Sequence, residues 1–280
     1  MILSWFGSVR KVAEGDYKVN LVELQSINDG AKNLLKETVS ELSKFEGLEY
    51  IIIGGWCPFL RNEKDIVHPG TLDVDILFRE GYQSTALKDI IKAFIEAGFI
   101  PSAKHKFQLL KEQKIQDKDF ICNIDLLHPK MTEYDENRGL FVDHLDLDVP
   151  LKGEETVKMT SIVLPNSALL FDDSLFDKYT LDSFEFNLVD FTGMFLTKME
   201  SCQKQKRERD SFDIYLAFLN DGVDVNKLQA IAQKNNHVKT ALESFKEFLR
   251  NKSDIFNSNI RQFHKEIQDS PAEEILERIK

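Results

Sequence analysis

Asp73 and Asp75 stand two residues apart in Thr71-Leu72-Asp73-Val74-Asp75-Ile76-Leu77-Phe78. Side chains on a β-strand alternate between faces, so both carboxylates point one way. Leu72, Val74, Ile76 and Phe78 point the other way, into a core. Two neighbouring carboxylates repel unless a cation lies between them. Hard divalent ions such as Mg2+ are held by such oxygens, often together with substrate phosphates. Upstream, Tyr50-Ile51-Ile52-Ile53-Gly54-Gly55-Trp56 reads as a buried strand running into a glycine pair. Without Cβ atoms, the backbone at Gly54 and Gly55 can turn sharply and bring N–H groups and a helix start close to an anion. A phosphate cradle beside a metal-binding pair points to nucleotide chemistry.

Either signal alone is weak. Acidic residues alternate on many solvated strand faces, and a glycine pair after an apolar run is often only a tight turn. Asp146-Leu147-Asp148 repeats the Asp-x-Asp spacing. No glycine pair leads into it, and it reads as a solvated strand or turn. The ordered combination is the informative feature.

A strand ending in Gly-Gly, followed by Asp-x-Asp on the next strand, resembles the nucleotidyltransferase superfamily, whose members share a polymerase-β-like catalytic core. The resemblance implies a third carboxylate from a later strand. Phe120-Ile121-Cys122-Asn123-Ile124-Asp125-Leu126-Leu127 offers Asp125, with Ile124 and Leu126 facing away from it. Asp73, Asp75 and Asp125 would then converge on one or two Mg2+ (or Mn2+) ions. Gly54, Gly55, Trp56 and Thr71 become the nucleotide-binding residues. The gap between Gly55 and Asp73 is longer than the family usually shows, and reads as an insertion around Arg61–Gly70.

The elements that must position these residues follow from periodicity. Residues up to about Phe45 read as helical, with Lys32 to Leu42 an amphipathic helix lying against the first strand. Ala86 to Ala97 reads as a helix with Leu87, Ile90, Ile91, Phe94 and Ile95 on its buried face, stopped by Gly98. Phe107 to Lys114 reads as a strand, followed by a polar turn at Gln116–Asp119 and the Asp125 strand. Leu140 to Leu164 reads as further strand and loop, and Phe184 to Leu188 as a last strand. Asp190 then looks like an N-cap. From Phe191 to Lys280 the apolar residues recur at helical spacing. The expected fold is α/β: a small mixed-sheet domain over residues 1–185, then an all-helical domain over residues 186–280 that completes the active site.

The helix entering that second domain carries Lys198, then the basic residues Lys204, Lys206, Arg207 and Arg209, then Arg209-Asp210-Ser211-Phe212-Asp213. A helical Lys followed by Arg-Asp-x-x-Asp resembles the AbiEii family of nucleotidyltransferase toxins. The resemblance runs from Tyr50 to Phe218 through four separated motifs. It implies that Lys198 binds the triphosphate as a point charge. Asp210 would assist the attacking hydroxyl or organise Lys198, and Asp213 would hold Arg209 or a neighbouring helix. It also implies an NTP substrate, an RNA acceptor of tRNA type, and a cognate antitoxin as partner. The basic run could contact RNA phosphates, or simply be an exposed turn. The histidines show no ligand spacing.

Composition limits the alternatives. With 280 residues the chain can bury one large or two modest cores. A net charge of -11 excludes bulk attraction to nucleic acid, so any RNA contact needs a local basic patch. Cys57, Cys122 and Cys202 lack metal spacing and fit a reducing cytosol. No apolar run reaches membrane-spanning length. Met1 to Phe6 is apolar but lacks the flanks of a signal peptide, so a cytoplasmic protein is expected.

The sequence therefore reads as a metal-dependent enzyme that transfers a nucleoside monophosphate from an NTP to a hydroxyl and releases pyrophosphate. Two alternatives compete with the RNA acceptor: a protein or small-molecule acceptor such as an aminoglycoside, and a catalytically silent binding module.

Overall fold

The computed structural model describes residues 21–79, 84–115, 118–129, 142–150, 156–164, 166–267 and 270–280. The expectations for the N-terminal apolar stretch and for much of the polar turn after Lys114 lie outside them.

Two compact units divide the described chain. The first holds Ser26–Cys57 and Gly70–Asp190. It begins within α1 (Leu21–Leu42), at Ser26, and the Ala31, Leu34, Leu35, Val39 and Leu42 of this helix recur at helical spacing and are buried. There follow β1 (Tyr50–Ile53), the first two residues of α2 (Trp56–Arg61), β2 (Asp73–Phe78), α3 (Ser84–Glu96), β3 (Ile100–Pro101), β4 (Gln108–Ile115) and β5 (Lys118–His128). The unit ends with β6 (Val142–Pro150), β7 (Thr156–Val163), α4 (Ala168–Asp172), β8 (Phe176–Leu181) and β9 (Phe184–Val189). Among the described residues these strands form one mixed nine-stranded sheet with the path β3-β4-β5-β2-β1-β9-β8. β7 joins β5 at Leu127 and His128, and β6 pairs with β7.

The pairing sets the faces. β2 runs parallel to β5 with Asp73 opposite Asn123 and Asp75 opposite Asp125. β1 runs antiparallel to β2 with Ile53 opposite Asp75. On the core face Val74, Ile76, Leu109, Cys122, Ile124 and Leu126 are fully buried. α1 lies on that side over β4, where Lys111 Nζ sits 2.6 Å from Glu37. Phe94 packs edge-on to Phe99 just beyond α3. The left-handed Gly98 follows α3, as expected of a helix stop. Leu72 precedes β2 and is only half-buried.

One expectation shifts. β8, at the end of the sheet beside β9, was not expected: its Phe-Asp-Lys-Tyr-Thr-Leu sequence alternates weakly because none of its residues is fully buried on either face. Asp146-Leu147-Asp148 lies in β6, the strand reading of the two the sequence offered, beside a register shift between Asp143 and Leu147.

The second unit holds Pro58–Pro69 and Phe191–Lys280. Its helices are α5 (Phe191–Lys198), α6 (Glu208–Leu219), α7 (Val225–Lys234), α8 (Asn236–Asn251), α9 (Ser253–Arg261) and α10 (Pro271–Arg278). A single 3-10 turn, Ser201–Gln203, lies between α5 and α6. Asp224 caps α7 and Asn235 caps α8 through side-chain oxygens, which satisfies otherwise orphan N–H groups. Phe195, Phe212, Phe245 and Phe256 fill the core, with Phe195 edge-on to both Phe218 and Phe245.

The stretch read as an insertion belongs to this helical unit. Asn220 Nδ2 donates to Asn62 Oδ1 at 2.9 Å, and the Glu63 N–H donates to Asn220 Oδ1 at 2.9 Å. Among the described residues no helix is long and apolar enough to cross a membrane.

Candidate active site

The sheet unit carries the first constellation. Asp73, Asp75, Asn123 and Asp125 share the face opposite the core and are half-buried. Neighbouring strands lie about 4.8 Å apart, so in-register residues on one face are side-chain neighbours. The Asp73 carboxylate accepts from Thr71 Oγ1 at 2.7 Å. Asp125 accepts from Asn123 Nδ2 at 2.7 Å and from the Gln108 amide. Burial pushes the Asp125 carboxyl up to about 6, the charge of Asp73 adds to the rise, and the Asn123 and Gln108 hydrogen bonds oppose it.

Gly54 follows β1 directly in the left-handed region, with φ +77°. A Cβ there would lie 2.1 Å from Asp75 Oδ2. The glycine therefore serves two purposes: it permits the turn, and it leaves room for a carboxylate against the backbone. Gly55 and Trp56 are buried. The indole of Trp56 lies within the core and its Nε1–H donates to the Asp73 carbonyl at 2.8 Å, fixing the start of β2. Thr71 is also buried. Trp56 and Thr71 thus act on Asp73, through its carbonyl and its carboxylate. His128 is buried and hydrogen-bonded to Ser161.

Three carboxylates on one face, one of them pushed towards neutrality by burial and a like charge, suit a hard, oxygen-preferring divalent cation. Among the described residues no three acidic, His or Cys side chains are already gathered as a metal-binding group. A cation would have to compete for Asp73 with Thr71, and for Asp125 with Asn123 and Gln108.

The helical unit carries the second constellation. Lys198 ends α5, and Asp210 and Asp213 lie three apart on one face of α6. Lys198 Nζ donates to Asp210 Oδ1 and to Asp213 Oδ2, each at 2.7 Å. Asp210 Oδ2 accepts from Ser201 Oγ at 2.7 Å. All three charged groups are buried. Burial opposes the charge of Lys198, but Asp213 and Asp210 outweigh it and hold the ammonium well above the ordinary lysine range. Burial likewise works against the Asp213 carboxylate, and Lys198 and His68 overcome it, so Asp213 titrates well below the usual carboxylate range.

Sequence reasoning missed His68. Its Nε2 lies 2.9 Å from Asp213 Oδ1 across 145 positions of sequence, and no local spacing could have signalled the pair. Of the basic run, Lys204, Lys206 and Arg207 are exposed. Arg209 is half-buried with Nε 3.8 Å from Asp213 Oδ2.

No protein-family model matches the chain, and no curated protein does. One solved structure similar to it is an antigenic nucleotidyltransferase-like protein from Paracoccidioides brasiliensis. That likeness has 13% identity and a TM-score of 0.36, and covers 77% of this chain and 93% of the other. A likeness of that size assigns neither chemistry nor fold to this chain.

Proposed function

We propose that the protein is a metal-dependent nucleotidyltransferase that moves a nucleoside monophosphate from an NTP to a hydroxyl acceptor. The observation that carries the reading is the register of β2 against β5, which sets Asp73, Asp75 and Asp125 on the one face opposite the core beside the Gly54 turn. Mg2+ or Mn2+ bound there would polarise the triphosphate and lower the pKa of the attacking hydroxyl. Asp73, Asp75 and Asp125 would supply the carboxylates that hold the ion. Thr71 and Trp56 hold Asp73 from its two sides, at the carboxylate and at the carbonyl. The Gly54-Gly55 turn offers backbone N–H groups to phosphate oxygens.

That Lys198 neutralises triphosphate charge and that Asp210 assists the acceptor rests on the AbiEii resemblance alone, because Asp210 and Asp213 already hold the buried Lys198 ammonium. RNA of tRNA type is the proposed acceptor. It rests on the AbiEii resemblance and on the exposed Lys204, Lys206 and Arg207, as do a toxin role and an antitoxin partner.

Incubation with Mg2+, each labelled NTP in turn and total tRNA tests the reading. An Asp73→Asn, Asp75→Asn double variant runs in parallel. Label entering tRNA with the native chain alone supports the proposal and names the base. Label entering protein keeps the transferase and removes the RNA acceptor. NTP binding with no transfer to any acceptor supports a silent binding module.

A further inference from the structure

His68 lies in the link between α2 and β2, a segment that belongs to the helical unit. Its ring packs 5.8 Å from Phe59 and is stacked 6.0 Å from Phe212. The His68 side chain is 2% exposed and that of Asp213 is 0% exposed. The following Pro69 biases the backbone at His68 towards an extended conformation. The imidazole is therefore held by packing on both sides and by the chain itself.

The hydrogen bond has only one consistent sense. Asp213 is ionised because Lys198 donates to it, so its Oδ1 must accept and His68 Nε2 must carry the proton. A carboxylate is planar, so fixing Oδ1 fixes Oδ2, the oxygen that receives Lys198. We propose that His68 is a positioning residue: it orients the Asp213 carboxylate and thereby sets where the Lys198 ammonium stands. A neutral donor suits the task. It orients the carboxylate without adding a further cation to Lys198 and to Arg209, whose Nε lies 3.8 Å from Oδ2. Burial keeps the imidazole neutral by lowering its pKa against the pull of Asp213. An Arg or Lys in that place would take the charge of Asp213 for itself. That Lys198 serves a transfer reaction rests on the function proposed above, whereas the positioning stands on the geometry alone.

The test compares His68→Phe with His68→Gln in the full chain. Phe keeps the ring packing between Phe59 and Phe212 but cannot donate, and Gln restores a donor near the Nε2 position. Trace acylation followed by peptide mass spectrometry reads the reactivity of Lys198 relative to the exposed Lys204. The expected result is Lys198 acylation raised about tenfold or more in His68→Phe and returned towards the native rate in His68→Gln. Turnover should fall with His68→Phe and recover with His68→Gln, while KM for the NTP changes less. Equal Lys198 acylation in His68→Phe and the native chain would overturn the proposal. Should His68→Phe fail to fold, long-range 1H–15N spectra of the native histidines decide the matter. A neutral His68 with its proton on Nε2 supports it, and a proton on Nδ1 alone overturns it. If no chain transfers nucleotide yet Lys198 reactivity still follows the His68 substitutions, the transfer reading fails and the positioning role survives.

Discussion

The Asp75 carboxylate lies against the α-carbon of Gly54, so close that a Cβ on Gly54 would sit 2.1 Å from Oδ2. The turn after β1 and the second acidic residue of β2 therefore specify each other. β1 and β2 are antiparallel partners, with Ile53 opposite Asp75, which brings Gly54, the residue just after β1, beneath that side chain.

Gly54→Ala should then do two things at once. Its positive φ costs an alanine about 1–2 kcal/mol, and the new methyl group must displace Asp75. The expected outcome is a lower urea midpoint together with a loss of Mg2+-dependent transfer larger than the stability change explains. Native-like activity in a destabilised Gly54→Ala chain would show that Asp75 need not stand where it does.

The raised Asp125 carboxyl gives a signed pH dependence. It titrates at about 6 in the folded chain against an ordinary value of 3.8. Between these values the folded state binds more protons than the unfolded state, so stability falls as pH rises. The loss is at most about 3 kcal/mol and is complete above the folded value. Urea midpoints from pH 4 to 8 should fall through this window, and Asp125→Asn should flatten that fall. Added Mg2+ should raise the midpoint most at the alkaline end, where the carboxylates are charged. Equal effects of Mg2+ at pH 4 and pH 8 would remove the carboxylate face as its site.

Asp73→Asn with Asp75→Asn should lower transfer by about a thousandfold or more, since the metal's contribution is several kcal/mol. Stability should hold or rise, because like charges facing Asp125 are removed. A thermal melt run beside the activity assay separates a lost reaction from a lost fold.

Lys198→Met should be among the most destabilising single changes in the helical unit. It leaves Asp210 and Asp213 buried without their cation, a loss of about 3–5 kcal/mol. Adding Asp213→Asn to Lys198→Met should recover part of it. The depressed Asp213 carboxylate contributes stability that is present above its unfolded pKa and lost as pH falls towards its folded value. Acid unfolding of the native chain should therefore steepen below about pH 4. Asp213→Asn should blunt it, as read by far-UV circular dichroism.

Burial raises the Cys122 thiol to about 11 and holds the Cys202 thiol higher still, and all three cysteines are buried. A thiol reagent at pH 8 should label none of them in the folded chain within minutes, and all three in urea.

Local sequence determined a good deal. Two-residue alternation at Val74, Ile76, Ile124 and Leu126 was enough to find β2 and β5 and to put Asp73, Asp75 and Asp125 on the face opposite the core, because strand faces follow from the chain's own geometry. Helical spacing found α1, α3 and the long C-terminal run for the same reason. The three-residue step from Asp210 to Asp213 put both on one helix face, within reach of one cation. Tertiary structure alone decided the rest. That Asp75 pairs with Asp125 is a matter of register between strands 50 residues apart in the chain. That Gly54 makes room for Asp75, that residues 58–69 fold with the helices, and that His68 meets Asp213 depend on packing partners no short window contains. A residue's face is a local property of its backbone, whereas the group opposite that face is chosen by the whole fold.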